Sequence, residues 1–225
     1  MTKTHDIVFL FDVDNTLLDN DRVEQDMHRH FGTFLSPGAR DRFFAIFEEL
    51  RTELGYADYL GALERYRLEA LCDPRVLKIS SWLVDYPFAQ RLYPNSLDAV
   101  MHVRRWGTPV ILSDGDAVFQ PRKVERAGLW DLFEDRVLIY VHKEEMLEDV
   151  ERHYPGRRYV MVDDKLRLLA AIKKIWENRV TTVFVRQGRY AHTPGLLDLY
   201  PPADIDLENI RGLLAYDRDA LLIKP

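Results

Sequence analysis

The chain has almost no cysteine: one in 225 residues, Cys72. A lone thiol excludes an internal disulfide and fits a reducing compartment. Long apolar runs are missing as well. The first, Ile7 to Phe11, is cut off by Asp12, and none approaches the ~20 residues that a membrane span needs. Met1-Thr2-Lys3-Thr4-His5-Asp6 does not build a secretory signal, so the expected location is the cytoplasm. Positive charge is not in excess either. A net charge of -6 gives no electrostatic reason to expect nucleic acid or an anionic membrane as the main partner. Repeats, low-complexity tracts and long charge runs are absent. What remains is ordinary: 47% hydrophobic and 30% charged residues, enough for one large domain or a core with a small accessory domain.

Ile7-Val8-Phe9-Leu10-Phe11 shows no polar alternation and reads as a strand buried on both faces. The period then changes. Val23, Met27 and Phe31 recur at helical spacing, as do Phe43, Phe47 and Leu50, then Tyr59, Leu63 and Tyr66. Ser36-Pro37-Gly38, Gly55 and Asp73-Pro74 separate these stretches, and a shorter helix spans Val76 to Leu83. Residues 20–90 therefore read as one helical module without strands.

From Tyr93 onward, strands alternate with helices. Strands are expected at Val110 to Leu112, Val137 to Val141, Tyr159 to Val162 and Thr181 to Val185. Helices are expected at Ser96 to Arg105 with Ser96 as its cap, up to Ala127, at Glu144 to His153, at Leu166 to Trp176, and near Leu207 to Leu214. This rhythm predicts an α/β fold with a doubly wound, mainly parallel sheet.

Ligands of an open parallel sheet bind beyond the carboxyl ends of its strands. The residues at those ends are Asp12 and Asp14, Ser113-Asp114, His142-Lys143, and Asp163-Asp164. Four strands thus bring carboxylates, a hydroxyl and an ammonium to one rim. Packing alone does not favour such a gathering, because like charges buried together are costly unless a cation or a reaction uses them. In Asp12-Val13-Asp14-Asn15-Thr16 two carboxylates stand two apart just past a strand, so one can attack while the other handles protons. The bland alternative is a side-chain turn at a strand end. For Lys143 it is a lysine on a solvated helix start. Zinc is a poor candidate: Cys72 falls in the helical module, and His28 and His30, two apart on a helix, face different ways.

These segments resemble the motifs of the haloacid dehalogenase (HAD) superfamily, in its phosphatase branch, over nearly the whole chain. Phe11 to Leu18 is similar to the first motif, Leu112-Ser113-Asp114-Gly115 to the second, Lys143 to the third-motif lysine and Val162-Asp163-Asp164 to the fourth. The helical module resembles the cap that many members insert between the first two motifs. The resemblance implies a HAD-like core at 1–19 and 91–225, and a cap at 20–90. It implies a nucleophile in Asp12 and an acid–base group in Asp14, whose backbone carbonyl also ligates magnesium. Ser113, with the backbone of Asp114 and Gly115, would hold phosphoryl oxygens, and Lys143 would offset their charge. Mg2+ would sit on Asp12, Asp14, Asp164 and, directly or through water, Asp163. Two departures stand out. Glu144 follows Lys143 where proline is usual, which leaves Lys165 and Lys123 as alternatives. The fourth motif carries adjacent acids, so the division of labour between Asp163 and Asp164 stays open.

An acid at position 14 favours phosphate esters over halides, because an alkoxide leaving group needs a proton and a halide does not. The expected activity is hydrolysis of a small phosphomonoester. A sugar-phosphate mutase and a non-catalytic binding module on the same fold are the alternatives. Substrate identity and oligomeric state are not legible. Among weaker signals, Phe43, Phe44 and Phe47 read as core of the helical module and Arg22 as surface. Trp82 and Tyr86 read as packing at the return from the module, and the loop Arg186 to His192 could reach the pocket.

Overall fold

Five consecutive large apolar residues are satisfied only in the middle of a sheet, and strand β1 (His5–Phe11) lies there, with Val8 through Phe11 fully buried. The computed structural model describes residues 5–70 and 73–222; Cys72 and residues 1–4, on which the signal-peptide reading rests, lie outside them. Among the described residues one sheet forms, in the order β3-β2-β1-β4-β5-β6 and parallel throughout. Its other strands are β2 (Thr108–Asp114), β3 (Val137–Tyr140), β4 (Gly156–Asp163), β5 (Val180–Val185) and β6 (Ile205–Leu207). Alternate residues of β1 serve opposite layers. Phe9 and Phe11 join one hydrophobic cluster, Val8 and Leu10 the other, so both sheet faces are covered.

Between β1 and β2 the chain inserts four helices: α1 (Asn20–Phe34), α2 (Pro37–Leu54), α3 (Tyr59–Glu69) and α4 (Arg75–Asp85). Their ends follow from local chemistry. The side chains of Asp19, Ser36 and Asp58 accept first-turn N–H groups, and Pro37 opens α2. Gly55, at φ +80°, ends α2 in the left-handed conformation. Phe31 and Phe43 pack edge to face inside the insertion, and Phe47 stacks on Tyr59 at 4.2 Å. Where the chain leaves and re-enters the sheet its two crossings pair, Asp19 N–H to Arg91 carbonyl and Tyr93 N–H to Leu17 carbonyl. The remaining helices are α5 (Ser96–Arg104), α6 (Phe119–Arg126), α7 (Leu129–Leu132), α8 (Leu147–His153), α9 (Leu166–Trp176), α10 (Gly188–Ala191) and α11 (Leu196–Leu199). None is long and apolar enough to cross a membrane.

Two local expectations fail. Leu207 does not start a helix; it ends β6, and only a 3-10 turn at Ile210–Ala215 follows. A three-residue strand beside Pro201-Pro202 has too little pattern to announce itself. Ser96 does not cap α5. Asn95 takes the left-handed position before the helix, and the Ser96 hydroxyl reaches instead the carbonyls of Leu17 and Tyr93, both at 2.7 Å, tying α5 to the loop after β1.

The order of the strands fixes where a site can form. β1 pairs with β2 on one side and β4 on the other, so the order of the strands reverses about β1 and a crevice opens at its carboxyl end.

Candidate active site

The crevice is filled by charge. Asp12 follows β1, Ser113 and Asp114 end β2, Lys143 opens the 3-10 turn after β3, Asp163 ends β4 and Asp164 follows it. Asp12, Asp163 and Asp164 are all buried, and their carboxylate oxygens lie within 4.8 Å of one another. Lys143 is fully buried among them. Its Nζ stands 2.6 Å from Asp12 Oδ1, 2.6 Å from Asp163 Oδ2 and 3.3 Å from the Leu112 carbonyl. That burial excludes a lysine on a solvated helix start. Burial alone would depress its ionisation, but Asp12 and Asp163 hold it above the ordinary lysine range.

Carboxylates still outnumber their partners. Burial pushes Asp163 up to about 6, with Lys143 pulling the other way. Asp164 is pushed well above the carboxylate range, first by burial and then by its neighbour Asp163. Neither oxygen of Asp164 has a hydrogen-bond partner although both are buried. Orphaned buried oxygens are expensive, and three carboxylates converging on one point are the donor set of a hard divalent cation. The residues therefore fit magnesium, on Asp12 and Asp164 with Asp163 adjoining.

Asp14 stands apart from this cluster. Its carboxylate accepts from Lys123 Nζ at 2.7 and 2.8 Å, and Lys123, buried on α6, also donates to Asn20 at 3.0 Å. Lys123 is thereby committed to Asp14 and not to Asp12. Metal ligation by the Asp14 carboxylate would require breaking that pair, which leaves its backbone carbonyl as the donor in question. Ser113 Oγ is 3.5 Å from Asp12 Oδ1 and accepts from Gln120 Nε2 at 3.0 Å. Asp114 turns its side chain onto the backbone N–H of Lys143 at 2.8 Å and so fixes the turn that carries that lysine.

Above the cluster a cavity of about 470 Å³ lies between sheet rim and insertion. Asp14, Asp114, Gly115 and Lys165 line it from the core, and Phe47, Arg51 and Tyr56 from the insertion. Phe47 thus serves both the core of the insertion and the cavity wall. The loop after β5 contributes as expected. Arg189 pairs with Glu24, which also accepts from the Tyr59 hydroxyl at 3.2 Å, and Tyr190 accepts from Arg51 at 3.2 Å. Gly188, at φ +68°, is pressed against Asn15; a Cβ there would fall 2.4 Å from Asn15 Cγ. Gln187 donates to the carbonyls of Asn15 and Thr16, so this loop braces the turn that presents Asp12 and Asp14. Gln120 carried no sequence signal, and Gln187 only that of the loop it lies in: an amide is informative only once its partner is known.

The pattern of the haloacid dehalogenase-like hydrolase family matches residues 8–175. Among solved structures, a protein of Burkholderia xenovorans LB400 described as a haloacid dehalogenase-like hydrolase is 60% identical. The match covers 95% of this chain and 99% of that one, with a TM-score of 0.90. The L-2-haloacid dehalogenase of Xanthobacter autotrophicus shares the fold at 17% identity, 92% and 96% coverage and a TM-score of 0.58. So does the HAD-hydrolase YfnB of Bacillus subtilis, bound to magnesium, at 14% identity, 95% and 98% coverage and a TM-score of 0.59. No curated protein matches the chain.

Proposed function

The chain belongs to the haloacid dehalogenase-like hydrolase family, and from that premise we propose that it is a magnesium-dependent phosphatase of a small phosphomonoester, with Asp12 as nucleophile. One observation carries the reading beyond the family: a second carboxylate, Asp14, faces the cavity two residues after the buried, lysine-held Asp12. Carbon–halogen cleavage has no use for a proton donor there. An ester oxygen leaving from phosphorus does.

In the first step the Asp12 carboxylate attacks phosphorus, the bond to the ester oxygen breaks, and Asp14 supplies the proton to that oxygen. In the second step Asp14 takes a proton from water, the water oxygen attacks phosphorus, and the bond to Asp12 breaks, releasing phosphate and restoring the carboxylate. Lys143 and Asp114 fix Asp12 and its surroundings before substrate arrives, so orientation needs no rearrangement at the moment of reaction. Asp12 and Asp164, with Asp163 beside them, would hold the magnesium ion, which supplies charge neutralisation for a phosphate entering among carboxylates. The magnesium bound by YfnB supports that assignment. Residues 1–19 and 91–225 form the catalytic core and residues 20–90 a cap whose Arg51, Tyr56 and Phe47 select the leaving group.

Phosphate release from a panel of phosphomonoesters, with and without Mg2+, tests the reading against Asp12→Asn. Magnesium-dependent release by the wild type alone is expected. Halide release from 2-haloacids with no phosphate release would sink it.

A further inference from the structure

Ser113 ends β2 beside the nucleophile, and its hydroxyl is held firmly on one side only. A hydroxyl has one hydrogen to give and two lone pairs that accept. Ser113 Oγ accepts from Gln120 Nε2 at 3.0 Å. The acceptors open to its own hydrogen stand farther off, the Asp114 carbonyl at 3.4 Å and Asp12 Oδ1 at 3.5 Å. An amide nitrogen only donates, so Gln120 fills an acceptor position of Oγ and turns the hydrogen away from itself, to the side where Asp12 lies. Contacts of that length bind the hydrogen weakly. An oxygen brought up against Asp12 would meet a donor already aimed and hardly committed.

The surroundings of Gln120 are built for this contact. The residue lies in the first turn of α6, on the cavity wall, and is 3% exposed. Asp116 Oδ1 accepts the N–H groups of Val118 and Phe119 at 2.7 and 2.6 Å, which fixes where α6 begins and hence where Gln120 stands. Gly115 leaves the approach open. A Cβ there would fall 2.5 Å from Gln120 Cβ and 2.7 Å from its Cγ, atoms too near the backbone to swing aside. A buried amide is costly unless its hydrogen bonds are made, and an apolar side chain would fill the same space without that cost. What the Gln120 amide adds, among the described residues, is the bond to Ser113.

We propose that Gln120 is a positioning residue for Ser113: its amide keeps the serine hydroxyl turned toward the phosphoryl group on Asp12, so that the hydrogen is donated to a non-bridging oxygen as charge builds there. The assignment rests on the phosphatase reading above. Donation into Oγ also makes the hydroxyl a stronger donor, because hydrogen bonds in a chain polarise one another. The hydroxyl is thus oriented before substrate enters, and the transition state gains from it without waiting for a rotation.

The test is a double-mutant cycle of Gln120→Met and Ser113→Ala. It is read as kcat and KM for phosphate release, and as calorimetric binding of orthovanadate, a phosphoryl mimic, to the Mg2+-loaded protein. Gln120→Met alone is expected to lower kcat and vanadate affinity together by about threefold to tenfold, with KM and Mg2+ affinity within about twofold of wild type. Added to Ser113→Ala, the same substitution should change neither by more than about twofold, because no hydroxyl is left to turn. An amide that served packing alone would act alike in both backgrounds, and equal losses in the two overturn the proposal. So does a Gln120→Met protein with kcat and vanadate affinity unchanged. Should Gln120→Met fail to fold, Gln120→Leu carries the same cycle. A wild type that neither binds vanadate nor releases phosphate overturns the phosphatase reading and this inference with it; wild-type binding with an indifferent Gln120→Met overturns only the role of the amide.

Discussion

Two buried charge clusters in this molecule use the same ingredients to opposite ends. Where the insertion rejoins the core, Asp26 of α1 accepts from the Tyr86 hydroxyl at 2.5 Å and from Arg91 at 2.5 and 2.8 Å. Burial alone would push the Asp26 carboxyl up, but Tyr86 and Arg91 hold it below the ordinary range. At the sheet rim Asp12 and Asp163 share Lys143, Asp163 and Asp164 are pushed up, and both oxygens of Asp164 lack a donor. The hinge cluster is complete as it stands and fastens two segments. The rim cluster is incomplete, and what it lacks is a cation and a substrate. A buried carboxylate is thus no sign of function by itself; a deficit of partners around it is.

The largest effects should separate the two clusters cleanly. Asp12→Asn is expected to lower phosphate release by at least about a thousandfold while leaving the thermal midpoint unchanged or higher. Asp26→Asn should do the reverse. It removes the charge that pairs Arg91 and is expected to cost about 2–3 kcal/mol in denaturant unfolding, with kcat/KM within a few-fold of wild type. A hinge variant that unfolds no more easily, or a nucleophile variant that unfolds first, would erase the distinction.

A smaller effect sharpens it. In metal-free protein Asp164→Asn removes one of three crowded carboxyl groups and should stabilise the fold by about 1–2 kcal/mol. Added Mg2+ should then stabilise wild type, by about 2.7 kcal/mol at a hundredfold excess over its Kd, and the variant hardly at all. Calorimetric melting with and without chelator reads both.

The clusters should also respond to pH with opposite sign. Asp26 titrates below its ordinary value of 3.8, so its contribution is present above that value and lost as pH falls through the lowered one. The stability gap between wild type and Asp26→Asn should close in acid. Asp163, raised to about 6 from 3.8, keeps its proton longer in the folded than in the unfolded chain. Between those values the unfolded state holds fewer protons, so metal-free protein loses stability from this group as pH climbs from about 4 to about 6. Magnesium should abolish that loss.

The framework of this contrast was largely legible in the sequence, because it depends on pattern. Apolar and β-branched runs announced β1 through β5, and the polar residues at the carboxyl ends of the first four announced the site. What escaped depends on partners far away in sequence. Nothing near Asp26 points to Arg91, and nothing in α6 says that Lys123 reaches Asp14, 109 residues earlier. Ser96 illustrates the same limit: serine before a helix suggests a cap, yet its hydroxyl is taken by the Leu17 carbonyl across the fold.

The smallest expected effect concerns how the insertion meets the rim. Gly55 ends α2 at φ +80°, and a Cβ there would fall 2.7 Å from His142 Cε1, on the core side of the cavity. The added methyl meets the imidazole, so Gly55→Ala should displace the turn at 55–58 from His142, with about 1 kcal/mol more for the left-handed alanine. Neither charge cluster touches this turn. KM should therefore rise a few-fold as Tyr56 withdraws from the cavity, with kcat within about twofold of wild type and Mg2+ affinity unaltered. A fall in kcat with KM unchanged would mean instead that the turn acts on the rim cluster itself, and the separation between a completed fastening and an incomplete reaction centre would no longer hold at the point where insertion and core come closest.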